Sequence, residues 1–585
     1  PATTFLIAAP VLLGALIESR RWLKIVPVGI AAGMIVLSFS AERLLEKPRE
    51  EPLPVVYRHW DAMAKIKLYE PKGNFQRLNI DNVAHTGTME FDGNWDRPDS
   101  MKFEFSINMQ TLVQQFDSCR YLIIGAGGGG DVIQPLQMNV PEIHAVEVIP
   151  HINDLLVNGR LAEFSGYIYR DPRVKVVTED ARAYARRFQN KFDIIYSSSS
   201  NTFTALSSGA FAMAENYIFT TEAFRDYWRA MTDNGFMVLE HQVYMPRIVS
   251  AVRNALNSLG VPDINSHFAV YDWPTARRNL LLLSKRPLTD DIIDHAITGE
   301  GTVAESPFKL LYPAPDSARD NLVNRIVMNG WEQEADSAKI DISPTTDNRP
   351  FIAQMGMWKN LQWSKMEKVI PYSDVFGFPL SKLIIVIILL VVLFLIVPLN
   401  LLPYLFKGRK LKAAPWLYFF LIGMAFMIVE IVLMQKYTLF IGPSVYSVIT
   451  ILISLLIGSG IGSRFSERFG VAFAFGGIIL WILLDIFIFK QITIALSGLT
   501  VLPRALITAL LIFPLGFFMG MPFPKGALKV GELIDWGFAV NGTASVFGST
   551  LIVLFAFAWG FNMALLLGAV FYMLAFGLIS LKTAW

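Results

Sequence analysis

Tyr121-Leu-Ile-Ile-Gly-Ala-Gly-Gly-Gly-Gly-Asp131 reads as an apolar strand that enters a glycine turn and then opens a helix. Glycine permits the sharp turn and lets a ligand approach bare backbone. Asp131 is expected at the N-terminus of that helix, where a carboxylate suits the dipole. Its structural role ranks above a catalytic one. Outward from this stretch, further strands are expected at Ala145–Ile149, Val174–Val177, Phe192–Tyr196 and Phe236–Glu240. Helices such as Glu222–Met231 lie between them, Pro246–Leu259 follows the fifth strand, and Leu280–Leu283 can supply a late strand. Alternating strands and helices argue for a parallel sheet covered on both faces.

A glycine run alone is a weak signal, and two acids strengthen it. Glu147 lies near the end of the second strand, where a carboxylate can take both hydroxyls of a ribose. Asp180 follows the third strand, where it can meet an adenine amino group. Gly125, Gly127, Gly128, Gly129, Glu147 and Asp180 are therefore the candidate cofactor-binding residues. Glu215 and Tyr217 follow a long loop and are candidates for facing the same crevice; the alternative is capping and packing of the next helix. His241 reads as structural, and the other histidines show no paired metal spacing, so no metal site is expected. The single cysteine, Cys119, excludes disulfides within the chain and CxxC sites.

The glycine run sits in a polar middle region flanked by apolar stretches. A spanning helix needs about 20 apolar residues. Candidates are Thr4–Ile17 and Trp22–Phe39 before the middle region. After it come Leu380–Leu402, Trp416–Gln435, Phe440–Gly462, Val471–Phe489, Val501–Met521, Gly537–Ala558 and Phe561–Leu581. The first run reads as a membrane helix cut short at its start, because no basic segment precedes it as in a signal peptide. The expected organisation is two helices over 1–40, a linker and β-rich piece over 41–119, the strand–helix domain over 120–285, its C-terminal extension over 286–375, and seven helices over 376–585. Residues 41–375 carry 35 Lys and Arg against 43 Asp and Glu, which argues against nucleic acid as a partner. If the Arg20 and Lys407 loops are cytoplasmic, twelve basic residues fall inside and four outside, namely Lys382, Lys436, Lys490 and Arg504. By the positive-inside rule the polar domain is then extracytoplasmic, on the periplasmic side of a bacterial inner membrane. Gly458 and Gly462, and Ala544 and Gly548, are small-xxx-small pairs that allow close helix packing. Glu430 and Asp485 are the acids within the apolar helices; ion pairing or snorkelling near the outer interface is the preferred reading.

Several stretches together resemble the membrane-embedded branch of the spermidine synthase (polyamine aminopropyltransferase) family. They are Gly125 to Leu136, Asp180-Ala-Arg-Ala-Tyr184, Phe192-Asp-Ile-Ile, Ala214-Glu-Asn-Tyr-Ile-Phe-Thr-Thr-Glu-Ala-Phe224 and Ser343-Pro-Thr-Thr-Asp-Asn-Arg-Pro-Phe351. The likeness continues through Ala425-Phe-Met-Ile-Val-Glu430 and Gly516-Phe-Phe-Met-Gly-Met-Pro-Phe-Pro524. It implies a small β-rich piece on an α/β Rossmann-like domain of the class I methyltransferase type. It also implies decarboxylated S-adenosylmethionine as cofactor, held by the Gly125–Gly129 turn, Glu147 and Asp180. The departures are equally informative. Where the family has an Asp-Ser-Ser-Asp type segment, this chain has Tyr196-Ser-Ser-Ser-Ser-Asn201, so Ser198 and Asn201 stand where acids hold and deprotonate the attacking amine. Spermidine synthesis is therefore not expected.

Two function classes follow. One is an accessory, binding or scaffold subunit of a membrane complex, with lipids and other membrane-protein subunits as partners and no cofactor. The other is a membrane-anchored transferase, aminopropyl or methyl, using S-adenosylmethionine or its decarboxylated form on an unidentified acceptor. The missing acids and the extracytoplasmic placement favour the first. A transporter finds little support, since the helices carry few polar groups and no evident inverted repeat.

Overall fold

A computed structural model describes residues 51–581 apart from 61–62, 83, 97–102, 199–216, 243, 300, 363–376, 400, 402–409 and 443, together with 28–29 and 32–33. The expected helix Thr4–Ile17, most of Trp22–Phe39, and the candidates Asn201 and Glu215 lie outside the described residues.

Strands β1 (Val55–Trp60), β2 (Lys65–Tyr69), β3 (Phe75–Ile80) and β4 (Ala84–Met89) form an antiparallel sheet in sequence order. This is the β-rich lead-in. The second sheet has eight strands in the order β12-β10-β11-β9-β8-β5-β6-β7. Five of them run parallel: β5 (Arg120–Ile124), β6 (Glu142–Glu147), β7 (Val174–Thr178), β8 (Phe192–Ser198) and β9 (Met231–His241). The remaining three, β10 (Phe268–Trp273), β11 (Arg278–Ser284) and β12 (Lys309–Tyr312), extend it antiparallel. The purely parallel sheet expected from the alternation is thus corrected to a mixed one. The reason is local: a tight turn over Pro274–Arg277, with Arg277 at φ 55, joins β10 to β11. A turn that short permits only antiparallel pairing, since parallel strands need a crossover. Strand β12 carries the sheet past residue 285.

The sheet is covered on both faces. Ile123, Leu280 and Leu282 pack on one side with Ile66, Leu68 and Leu78 of the N-terminal sheet. Leu122, Leu281 and Leu283 pack on the other with residues of α3 (Thr221–Ala230) and α4 (Met245–Ser258). Consecutive residues of a strand point to opposite faces, so the unbroken Leu280–Leu283 run is what a doubly buried strand requires. The two shorter helices that matter for the site are α1 (Gly130–Gln137) and α2 (Ala181–Ala185).

Among the described residues, five helices are long and apolar enough to cross a membrane: Leu380–Leu399, Ala413–Ile441, Val445–Arg468, Val471–Ala495 and Val501–Ser580. The first begins as α5 (Leu380–Val391); α6 is Ala413–Ile441 and α7 Ser444–Phe465. The fourth comprises α8 (Val471–Leu484), a π-helical turn over Asp485–Phe489, and α9 (Lys490–Ala495). The last comprises α10 (Val501–Met519), α11 (Pro522–Val530) and α12 (Ile534–Ser580), and Gly560, at φ 80 and ψ 178, interrupts α12. Close packing follows the small residues: a Cβ on Gly548 would lie 2.8 Å from the Met424 backbone, so α12 and α6 touch backbone to backbone.

The α/β domain sits at one end of these helices. Lys382 donates to the Gly356 carbonyl at 2.6 Å, and Arg504 pairs with Glu179 at 2.6 Å. At the opposite end Lys525 donates to the carbonyls of Ser466 and Phe469 at 2.7 and 2.5 Å, close to Arg464 and Arg468 in the chain.

Candidate functional site

The five parallel strands end on a common edge, and the order β7-β6-β5-β8-β9 puts the glycine turn at the point where the order reverses. Open α/β sheets bind ligands in the crevice outside that point. The turn is tied down by Gly125 and Ala126, whose N–H groups both donate to the Val146 carbonyl at 2.9 Å. Gly127 has φ +50, and a Cβ there would lie 2.5 Å from Thr86 Oγ1. A Cβ on Gly128 would lie 2.7 Å from the Gly87 backbone, and its N–H donates to Thr86 Oγ1 at 2.8 Å. One reason for glycine here is therefore the close approach of β4, a protein contact rather than a ligand.

Glu147 ends β6 and is buried. Its Oε2 accepts from Gly127 N–H at 3.0 Å and its Oε1 from Ile149 N–H at 2.9 Å. Burial raises the pKa of its carboxyl, and these backbone donors pull the other way. The carboxylate that a ribose would use thus also braces the glycine turn. Asp180 accepts from Ala183 N–H at 2.8 Å and so caps α2. Asp131 lies in the first turn of α1, where the sequence places it. Burial pushes its carboxyl up to about 7, with Arg278 pulling down. Its charge also bears on the Tyr121, Tyr169 and Tyr196 hydroxyls.

At the end of β8, Ser198 Oγ lies 3.5 Å from Glu240 Oε2, a weak contact. Glu240 is buried on β9 and ion-paired to Arg278 of β11. Sequence reasoning missed this pair. Its only local signal is an acid at the end of the apolar run Phe236–Glu240. A carboxylate is present beside Ser198, but its charge is already matched.

One flank of the crevice is closed by the membrane helices. The Tyr217 hydroxyl donates to the Gln435 carbonyl of α6 at 2.8 Å. Glu179, beside Asp180, is bound by Arg504 of α10 and by Arg187. Arg182 is 1% exposed and donates to Asp347 at 2.6 and 3.0 Å and to Asp226 at 2.9 Å. The neighbouring Asn348 enters the break in α12: its carbonyl accepts from Phe561 N–H at 2.9 Å and its Oδ1 from Asn562 N–H at 2.8 Å. A Cβ on Gly560 would stand 2.3 Å from the Asn348 amide. Phe351 packs edge-on against Phe557 and Phe561. His241 is buried between Phe219 and Tyr244, and burial lowers its pKa to about 3. Among the described residues, no group of His, Cys, Asp or Glu is placed to hold a metal ion.

With this geometry in view, the comparisons with known proteins are specific to one part of the chain. Residues 111–283 match the spermine/spermidine synthase domain. Polyamine aminopropyltransferase 1 of Aquifex aeolicus is 26% identical over 208 residues, covering 34% of this chain and 70% of that one. The polyamine aminopropyltransferase of Clostridium perfringens is 26% identical over 183 residues, covering 30% and 60%. The solved structure of a probable spermidine synthase from Corynebacterium glutamicum aligns with 47% of this chain and 95% of that one, at 18% identity and a TM-score of 0.31. This chain therefore carries a spermidine synthase-like, Rossmann-type domain, joined in one polypeptide to several long apolar helices.

Proposed function

We propose that this is an integral membrane protein whose spermidine synthase-like domain is a docked binding or scaffold module of a membrane complex and does not make spermidine. The observation that carries this reading is the state of the acceptor side. Ser198 stands at the place of a catalytic acid, and Glu240 beside it is neutralised by Arg278. A polyamine is a multiply charged cation, and its site needs uncompensated carboxylates to hold it and one of them to accept its proton. Asn348 supports the docked reading, because it joins the domain to α12, and the Arg182–Asp347 pair holds the segment that carries it.

The purified full chain, given putrescine and decarboxylated S-adenosylmethionine, is expected to form no spermidine above background. Sustained turnover overturns the proposal. A second reading, an S-adenosyl-donor transferase acting on another acceptor, is favoured by one observation: Asp131, a carboxyl that burial pushes up to about 7, lies in the helix turn directly after the glycine turn. Calorimetry with S-adenosylmethionine and methylthioadenosine separates the two. If the crevice holds a nucleoside, Glu147→Ala weakens binding by about 1–3 kcal/mol through lost charged hydrogen bonds. No heat with either ligand in the folded parent protein leaves the glycine turn a purely structural device.

The proposed topology is two helices before the domain and seven after it, counting α12 as two at Gly560, with the domain outside a bacterial inner membrane. Its support is that Lys382, Lys436, Lys490 and Arg504, the minority of loop cations, belong to the end where the domain docks. A reporter active only in the cytoplasm, inserted in the exposed Asp92–Asn94 turn, is expected to stay silent. Reporter activity there reverses the orientation.

A further inference from the structure

A second cavity lies outside the nucleoside crevice, at the seam between the α/β domain and the membrane helices. It is open-sided, with a cavity volume of about 60 Å³. Arg186, Asp347, Lys436 and Lys490 are its charged residues, and Phe489 and Ile494 belong to its apolar wall.

Three of the four charged groups are already matched. Asp347 is held by Arg182 at 2.6 Å, and Arg186 pairs with Asp226 at 2.8 Å. Lys436 pairs with Asp485 at 2.6 Å, and Asp485 also accepts from the Tyr437 hydroxyl at 2.8 Å. That pairing gives Asp485 the ion-pair partner expected of it. Lys490 is different: its ammonium makes no ion pair or hydrogen bond among the described residues. The cavity therefore holds one unmatched positive charge. Lys490 directly follows the π-helical turn over Asp485–Phe489. Such turns interrupt α-helices frequently at functional sites, as well as elsewhere, as over Val392–Ile396. On the same helix the apolar surface continues outward, with Phe487 65%, Ile488 46% and Ile494 52% exposed. A cationic mouth thus opens onto an apolar helix face, at the level where the membrane helices meet the polar domain.

We infer that this seam cavity binds an anionic membrane phospholipid, with its phosphate at Lys490 and an acyl chain along Phe489 and Ile494. A soluble anion answers the charge and leaves the apolar wall unused. A zwitterionic lipid answers the wall and brings no net charge. Only an anionic lipid satisfies both, and its binding ties the domain to the bilayer surface.

The test uses the full chain in mild detergent, titrated with phosphatidylglycerol or phosphatidylcholine, with retained lipid counted by native mass spectrometry. Phosphatidylglycerol is expected to bind about fivefold tighter, the effect of one basic side chain at a membrane surface. Lys490→Glu loses that preference and Lys490→Arg keeps it, with melting curves of both variants compared with the parent. Should Lys490→Glu not fold, Lys490→Gln is read in its place. Equal retention of the two lipids, or an undiminished preference in the charge-removing variant, overturns the inference. Glycerol phosphate distinguishes the sources: if it competes as well as the intact lipid, the site takes free phosphate and the lipid assignment falls.

Discussion

Asp347→Ala is expected to destabilise the protein by about 3–5 kcal/mol, because it leaves a buried guanidinium short of its main partner. Arg182 is almost wholly excluded from solvent and donates two hydrogen bonds to Asp347, at 2.6 and 3.0 Å. Asp226 remains at 2.9 Å but is shared with Arg186 at 2.8 Å, so it cannot replace the lost charge. Asp347 Oδ1 also accepts from Thr220 at 2.8 Å, and that hydroxyl caps the next helix through Ala223 N–H. Denaturant unfolding of the two proteins in the same detergent measures the difference; a change below about 1 kcal/mol, the value of an exposed pair, removes the argument. The pH dependence has a definite sign. Burial by itself would raise the Asp347 carboxyl, but the Arg182 guanidinium outweighs it and holds the group below the ordinary carboxylate range. A depressed folded pKa stabilises above the unfolded value, about 3.9, and that stability is lost as pH falls through the folded one. The parent protein is therefore expected to lose stability below about pH 4, and Asp347→Ala to lose less over the same window. Glu222, raised by burial and by the Asp347 charge, works in the opposite direction, so Glu222→Gln separates the two.

The parts legible in the sequence are those set by local period and turn chemistry. Tyr121–Asp131 specifies strand, turn and helix within eleven consecutive residues, and Glu147 and Asp180 are found because strands of regular spacing put acids at the same edge. The missed features are long-range. Glu240 meets Arg278 because β11 runs antiparallel to β9 in a register that opposes Leu280 to Glu240, and no periodicity states that register. The glycines at 127 and 128 make room for Thr86 and Gly87, some forty residues earlier, where nothing in the local sequence marks a contact. Asn348 and Gly560 are likewise complementary: an interrupted helix leaves N–H groups without intrahelical partners, and Asn348 supplies the acceptors from more than two hundred residues away. The membrane helices are the reverse case. Their small-residue spacing is visible in the sequence, and it is what sets the distance between them.

That spacing supports the second large effect. Gly462→Ala is expected to cost about 3 kcal/mol, the upper end for overpacking, by forcing α7 and α10 apart. A Cβ at Gly462 would lie 1.8 Å from the Phe517 carbonyl oxygen, and one at Gly520 2.1 Å from that of Ser459. Both obstacles are backbone, which cannot swing aside as a side chain does. Helices in lipid gain no hydrophobic energy by meeting, so their association rests on van der Waals contact and falls quickly with separation. A rigid shift of α10 would also reach the polar domain, because the other end of this helix carries Arg504, whose buried guanidinium is bound to Glu179 beside the glycine-turn crevice. Gly462→Ala should therefore lower the melting temperature and expose the Glu179 seam to proteolysis or hydrogen exchange together. Gly460→Ala is the control, since it lies on the same helix with nothing within 4 Å of a Cβ there. It should be neutral or slightly stabilising, as alanine is the better helix former. If the two substitutions behave alike, helix propensity rather than interhelical contact governs the position, and the backbone-to-backbone packing of α7 on α10 is not what holds the crevice flank in place.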